Sequence, residues 1–168
     1  MIIIIIYTII SFLLDALMSN FVDTNLANPS YFITIYSVIA LVISYHFFDN
    51  ENKYLKILIT MGILFDIVYT NTFILNIFLF LIIYFVIKWL NMYIPNNLFT
   101  INIKTLLAIG IYHSLSFLIL SFAKYDHYTF NLLLTILSRS IIMTIIYTTI
   151  SYLLIKKLYY KKHYKKIK

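Results

Sequence analysis

Long apolar runs separated by short polar turns constrain the fold of this chain more than any other feature. An α-helix rises 1.5 Å per residue, so about 20 apolar residues cross a bilayer, and shorter helices fit inside a bundle. Hydrophobic residues make up 62% of the chain and charged residues 11%, unlike the composition of soluble proteins. The sequence therefore predicts an all-α, polytopic integral membrane bundle of about six transmembrane helices, at 2–22, 30–48, 55–71, 73–90, 104–123 and 129–156.

The division into domains follows from the absence of an internal linker. No Gly-, Ser- or Pro-rich segment divides the chain, so residues 1–156 are expected to form a single transmembrane domain, followed by a basic cytoplasmic tail at 157–168. The N-terminus lacks a basic region and a cleavage site, which indicates a retained first helix. Only Thr70-Asn71-Thr72 separates the third and fourth helices, so a fused or re-entrant arrangement of these two is the alternative.

The lysines predict the orientation of the chain in the membrane. Short connections rich in Lys and Arg stay in the cytoplasm. If both termini are cytoplasmic, the outside carries only Lys124, and Arg139 lies within a span. An even number of helices with both termini inside is therefore expected, and the eleven lysines on the cytoplasmic side are then Lys53, Lys56, Lys88, Lys104 and the seven between Lys156 and Lys168.

Asp66 places a carboxylate inside an apolar run. A carboxylate at membrane depth costs about 2.5–3.5 kcal/mol on insertion scales, so it is expected to face other helices and to need a partner. Gly62 lies four residues earlier on the same helical face, where the missing side chain allows a neighbouring helix to approach closely. Gly62 and Asp66 are therefore predicted to mark one packed face.

Three charged residues fall within the predicted spans away from the span ends, and they form a predicted intramembrane charge cluster. From the helical rise, Asp15, Asp66 and Arg139 lie ~10, ~8 and ~15 Å below the outer ends of their helices, a difference that an arginine side chain can bridge. Arg139 is expected to pair with Asp66, with Asp15 as the competing partner. The cluster is either a coordinating or partner-sensing site or a buried ion pair that fixes helix packing.

The residue pattern argues against an enzyme, and no catalytic, cofactor-binding or metal site is expected. The chain has no cysteine and only two glycines, and it lacks G-x-S-x-G, H-E-x-x-H and phosphate-binding loops. His113 lies near mid-helix without a second ligand at metal spacing. A hydrogen bond to a neighbouring helix and a role in proton relay are the two interpretations of this histidine.

The lysine-rich C-terminal segment directly follows a span. That position favours anionic lipid as its partner, at about 1 kcal/mol per lysine near the surface, and nucleic acid is not expected. A topology anchor and a docking site for a cytoplasmic protein are the two remaining interpretations. The predicted lipid-facing residues are Lys156, Lys157, Lys161, Lys162, Lys165 and Lys166.

Residues 62–76, G-I-L-F-D-I-V-Y-T-N-T-F-I-L-N, followed by I-F-L-F-L-I-I-Y-F, resemble the central segment of the rod-shape-determining protein MreD family. The likeness rests on a glycine, an aspartate, a polar turn and a Leu-Asn pair, and many members carry a glycine where this chain has Ile74. Chain length, helix count and the basic C-terminus also suit the family. The residues that the resemblance marks as a helix-packing or partner motif are Gly62, Asp66, Thr70, Asn71 and Asn76.

The resemblance implies a non-catalytic membrane scaffold of the bacterial cell-elongation machinery. Its implied partners are an MreC-type membrane protein, MreB-type filaments, and RodA-type and penicillin-binding peptidoglycan synthases. The implied fold resembles the S component of energy-coupling-factor transporters, so a vitamin-binding S component is the alternative function. Against that alternative, Ala16 stands without a second alanine for the Ala-x-x-x-Ala-like docking face of such subunits, and the outer loops offer few groups to close over a polar vitamin.

Overall fold

The computed structural model describes residues 2–21, 34–48, 50–70, 72–123 and 129–164, with side chains except at 19–21 and 162–164. These residues form six α-helices and one π-helical turn, and no strand occurs among them. The helices are α1 (Ile2–Phe21), α2 (Tyr36–Tyr45), α3 (Glu51–Phe65), α4 (Leu75–Tyr93), α5 (Leu98–Phe122) and α6 (Phe130–Tyr164), and the π-helical turn, Asp66–Thr70, follows α3 directly.

The described helices belong to a helical membrane protein. Three of them, α4, α5 and α6, are long and apolar enough to cross a membrane. The helix α1 and the helix α2 are shorter apolar helices by the same criteria. The predicted all-helical class is therefore confirmed, while the number of spans stays a prediction.

The short helix α2 forms the centre of the bundle. Every residue from Tyr36 to Ser44 is buried, because α1, α5 and α6 pack around it and α3 and α4 contact it as well. A helix that is apolar on all sides is stable only when it is surrounded in this way. Its 10 residues give a length of about 15 Å, too short to cross a membrane alone.

One end of the bundle, here called the basic end, collects the ends of α2 and α4 and the starts of α3 and α5. The ring of Tyr45 lies 5.2 Å from that of Tyr54 on α3 and 5.8 Å from that of Tyr84 on α4. Phe47 lies 5.3 Å from Tyr159, which brings the C-terminal part of α6 to this end. The basic end therefore carries Lys53, Lys56, Lys88, Lys104, Lys156 and Lys157.

Several helix boundaries differ from the predicted ones, and two of these differences concern α5 and α6. The fifth helix is predicted to begin at residue 104, but α5 begins at Leu98 because Asn97 and Thr100 form a reciprocal capping box. The helix α6 continues to Tyr164. Residues 157–164 of the predicted tail are therefore a helical extension of α6, since neither lysine nor tyrosine breaks a helix.

Candidate functional site

The Asp66 carboxylate lies at the centre of a polar network between α3 and α4. Asp66 is only 3% exposed. Its Oδ1 atom accepts hydrogen bonds from the Thr72 hydroxyl at 2.6 Å and from the backbone N–H and side-chain amide of Asn76, both at 2.9 Å. Its Oδ2 atom is buried without a hydrogen-bond partner among the described residues. One carboxylate oxygen therefore fixes the start of α4.

The π-helical turn explains how Asp66 reaches α4. The backbone widens after Phe65, and the N–H of Thr72 donates to the carbonyl oxygen of Asp66 at 3.2 Å, which closes the turn. Such local widening is frequent at functional sites. It brings Thr70 within 3.5 Å of the Asp66 carboxylate and 2.9 Å of the Asn76 amide. The described polar residues of the predicted motif, Asp66, Thr70 and Asn76, thus form one connected unit.

Asn76 joins this unit to a third helix. Its side-chain NH2 group donates to Asp66 and to Thr70, and its carbonyl oxygen accepts from the Tyr112 hydroxyl of α5 at 2.7 Å. Asn76 is fully buried, so each of these bonds lies in a medium of low dielectric constant. The network therefore ties α3, α4 and α5 together.

At Gly62 the helices α3 and α4 approach each other closely. A Cβ atom at this position would lie 2.8 Å from Cα of Ile77, 2.9 Å from Cγ1 and 3.0 Å from the backbone nitrogen of the same residue. Only a residue without a side chain tolerates that separation. Since Ile77 directly follows Asn76, the contact at Gly62 holds α4 where its first turn reaches Asp66.

Ile74 has an unusual backbone conformation. Its φ is 70° and its ψ −5°, which is the left-handed region, and it is the only non-glycine residue with positive φ among the described residues. A β-branched residue in this region is strained, and glycine is the residue that favours it. Ile74 immediately precedes the first turn of α4, so the strained position belongs to the same hairpin as the Asp66 network.

Replacing Ile74 by glycine is therefore expected to stabilise the protein. Relief of the left-handed strain contributes about 1–2 kcal/mol, the greater freedom of unfolded glycine costs about 0.5–1 kcal/mol, and a net gain of about 1 kcal/mol remains. The matched control is Ile63→Gly in the regular helix α3, since Ile63 is 44% exposed and Ile74 is 53% exposed. Thermal unfolding in one detergent should show a higher Tm for Ile74→Gly and a lower Tm for Ile63→Gly; a lower Tm for both would contradict the strain.

Asp15 performs the corresponding task for α2. Its Oδ1 atom accepts from the backbone N–H of Tyr36 and its Oδ2 atom from that of Ser37, both at 2.8 Å. These are the first two N–H groups of α2, which have no partner within their own helix. The preceding residue, Ile35, has no side chain that can cap the helix. Asp15 therefore supplies the N-terminal cap of α2 from α1.

The predicted ion pair of Arg139 with Asp66 or Asp15 is wrong. Between described residues the salt bridge is Lys88–Glu51, and both aspartates instead accept hydrogen bonds at helix N-termini. A helix N-terminus carries about half a positive charge, which stabilises a carboxylate without a cation. Arg139 is half-buried on α6 and makes interactions of its own. The two aspartates thus serve separate helix junctions.

The remaining predicted residues are dispersed. His113 is buried on α5, and its Nε2 atom has no hydrogen-bond partner in the described part of the chain, so this atom does not form the expected bond to a neighbouring helix. Asn71 lies outside the described residues, as do Lys165, Lys166 and the side chain of Lys162. The exposed tail lysines that the structure describes are Lys156, Lys157 and Lys161.

Two members of the network, Thr72 and Tyr112, were not singled out from the sequence. Thr72 lies in the polar turn and is now seen to make the shortest hydrogen bond to Asp66. Tyr112 was missed, because one of 16 tyrosines in an aromatic-rich chain cannot be singled out by composition. Within the described ranges, no group of three or more His, Asp or Glu side chains could hold a metal ion. The network is therefore a hydrogen-bonded helix junction.

Comparisons with protein-family models, with curated proteins and with solved structures find no match to this chain.

Proposed function

We propose that this chain is a non-catalytic membrane scaffold of the bacterial cell-elongation machinery, of the MreD type. The observation that carries the proposal is the α3–α4 hairpin. The residues Gly62, Asp66, Thr70 and Asn76, on which the family resemblance rests, act together there as a close helix contact and a buried cap. Because each of these contacts depends on the others, the four residues are expected to occur together at this spacing.

The backbone at Ile74 gives independent support to the resemblance. Many family members carry a glycine at this position, and a left-handed φ of 70° is the conformation that favours glycine. The hairpin geometry thus supplies a physical reason for the family pattern. In this chain the strain of an isoleucine is tolerated because Asp66 and Gly62 fix the hairpin on both sides.

The surface of the described residues suits lateral contacts within a membrane. Large apolar side chains are exposed along α1, α4, α5 and α6, and Phe73 at the tip of the α3–α4 hairpin is 90% exposed. In the proposal these faces meet lipid and an MreC-type membrane protein. Through that assembly MreB-type filaments are coupled to RodA-type and penicillin-binding peptidoglycan synthases.

The proposed orientation is a six-span protein of the bacterial plasma membrane with both termini in the cytoplasm. The meeting of Lys53, Lys56, Lys88 and Lys156 at the basic end of the bundle supports this orientation, since positively charged connections stay inside. Lys156 also lies 5.6 Å from the ring centre of Tyr152 on the same helix. The proposed partner of the exposed tail lysines is anionic lipid.

Depletion and co-purification test the proposed function. In a rod-shaped bacterial host, depletion of the protein should give wide or rounded cells, and affinity purification should recover an MreC-type partner. A Gly110→Leu protein should restore rod shape, whereas Gly62→Leu should not, because only Gly62 lies against another helix. Normal rods that lose the uptake of one vitamin would instead favour the transporter S component.

A further inference from the structure

A polar pocket of about 240 Å³ opens at the basic end of the bundle. Its lining includes Tyr45, His46, Glu51, Asn91 and Asn96, from α2, α3, α4 and the segments that follow α2 and α4. One water molecule occupies about 30 Å³ in the liquid, so the pocket has room for a tetrahedral oxyanion and several waters. Its polar lining differs from that of the apolar grooves elsewhere on the bundle.

A buried cation lies directly behind this pocket. Lys104 on α5 is 0% exposed. Its ammonium group donates to the side-chain oxygens of Asn91 and Asn96, the latter at 2.7 Å, and to the carbonyl oxygen of Ile94 at 3.2 Å. All three acceptors are neutral, and among the described residues no carboxylate lies within ion-pair distance of Lys104. Among the described residues, the positive charge of Lys104 is therefore solvated but not neutralised.

The pocket wall also holds donors without acceptors. Asn91 and Asn96 turn their oxygens to Lys104, and their NH2 groups make no hydrogen bond in the part of the chain that the structure describes. Both ring nitrogens of His46 are buried and equally without a partner there. A neutral imidazole always carries one N–H donor. Several donors around an unneutralised cation are the chemistry that binds an oxyanion.

The carboxylate in the pocket does not neutralise Lys104, because it has its own cation. Glu51 accepts from the ammonium of Lys88 and from the hydroxyl of Tyr84. Lys88 and Glu51 thus cancel each other, and among the described residues at the pocket Lys104 is left as the one net positive charge. In a medium of low dielectric constant such a charge favours an anion strongly.

We propose that the pocket at the basic end binds a phosphate group through His46, Asn91 and Asn96, with the charge of Lys104 behind them. Trp89 and Tyr93 are exposed on the last turns of α4, and their rings lie 5.3 Å apart. Exposed Trp and Tyr mark the depth of lipid head groups. The phosphate group therefore comes from a phospholipid head group or from soluble phosphate, and the experiment separates these sources.

The test is ligand-dependent thermal stability of the purified full-length protein in detergent. The two probes are inorganic phosphate, at an ionic strength held constant with chloride, and dihexanoyl-phosphatidylglycerol, with dihexanoylglycerol as the control that lacks phosphate. A probe at ten times its Kd should raise Tm by about 3–6 °C. A shift with both probes identifies the phosphate group itself as sufficient, and a shift with the lipid alone identifies the head group.

Asn96→Asp provides the decisive variant, because its new carboxylate supplies the counter-ion of Lys104 from within the chain. Asn96 is exposed, so the variant should fold, with a Tm at least equal to that of the wild type and with no response to either probe. Asn97→Asp adds the same charge next to it, keeps a good helix cap, and should retain the response. His46→Leu should raise the probe concentration that is needed for the same Tm shift at least tenfold. No Tm shift in the wild type, or an equal shift in Asn96→Asp, would overturn the proposal.

Discussion

Gly62→Leu is expected to lower the stability of the protein strongly. A side chain at this position meets the backbone of Ile77, at 2.8 Å from its Cα, and a helix backbone cannot move aside as a flexible side chain can. The leucine must therefore displace the start of α4 and break the bonds between Asn76 and Asp66. Overpacking and lost hydrogen bonds together cost about 3 kcal/mol or more, which lowers Tm by roughly 6–12 °C.

Gly110→Leu is the matched control. A Cβ atom at Gly110 meets nothing within 4 Å, because this glycine lines an open apolar groove of about 510 Å³ between α5 and α6. Helix propensity favours leucine over glycine by up to about 1 kcal/mol, so Tm should stay constant or rise. Both variants should reach the membrane in equal amounts, since both add the same apolar side chain. Equal losses of Tm would show that the approach of α4 at Gly62 is not what limits stability.

The helices could be predicted from the sequence because apolar runs and helix-stopping residues are local signals. The start of α5 could not be placed correctly from the sequence. Asn97 is typical of a turn and also of a helix N-cap, and only the structure shows that Asn97 and Thr100 form a cap. That shift changes the meaning of Lys104. From the sequence, Lys104 is counted among the lysines on the cytoplasmic side. In the structure Lys104 lies in the second turn of α5 and is fully buried. The sequence shows that Lys104 is charged, but only the packing of the helices determines how deeply it is buried.

The partners of the two intramembrane aspartates could not be predicted for a different physical reason. A charge suggests another charge as its partner, and Arg139 was the available cation. Each carboxylate instead accepts a backbone N–H group, 21 residues away in sequence for Asp15 and 10 for Asp66. In each case an aspartate near the end of one helix caps the start of the following helix. This repeated arrangement needs no side-chain pattern at the capped end, so no sequence signal marks it.

Removal of the Asp66 carboxylate is the second substitution with a large expected effect. Asp66→Ala leaves the backbone N–H and side-chain amide of Asn76 and the hydroxyl of Thr72 without their acceptor in a buried site. Each unsatisfied buried donor costs about 1–3 kcal/mol, so a loss of about 3 kcal/mol or more is expected. Asp66→Asn should be milder, at about 1 kcal/mol, because its oxygen can replace Oδ1, and Oδ2 has no partner to lose.

Asp15→Asn separates this explanation from a general need for negative charge. Both oxygens of Asp15 accept a backbone N–H, so an asparagine must turn its NH2 group towards one of those donors. It should therefore lower Tm by clearly more than Asp66→Asn, although each variant removes one charge. The double variant of Asp66→Asn with Arg139→Gln should be additive within about 0.5 kcal/mol, as expected for groups that do not contact each other. Equal effects of the two asparagine substitutions, or strong coupling to Arg139, would mean that charge pairing governs these aspartates and that capping does not.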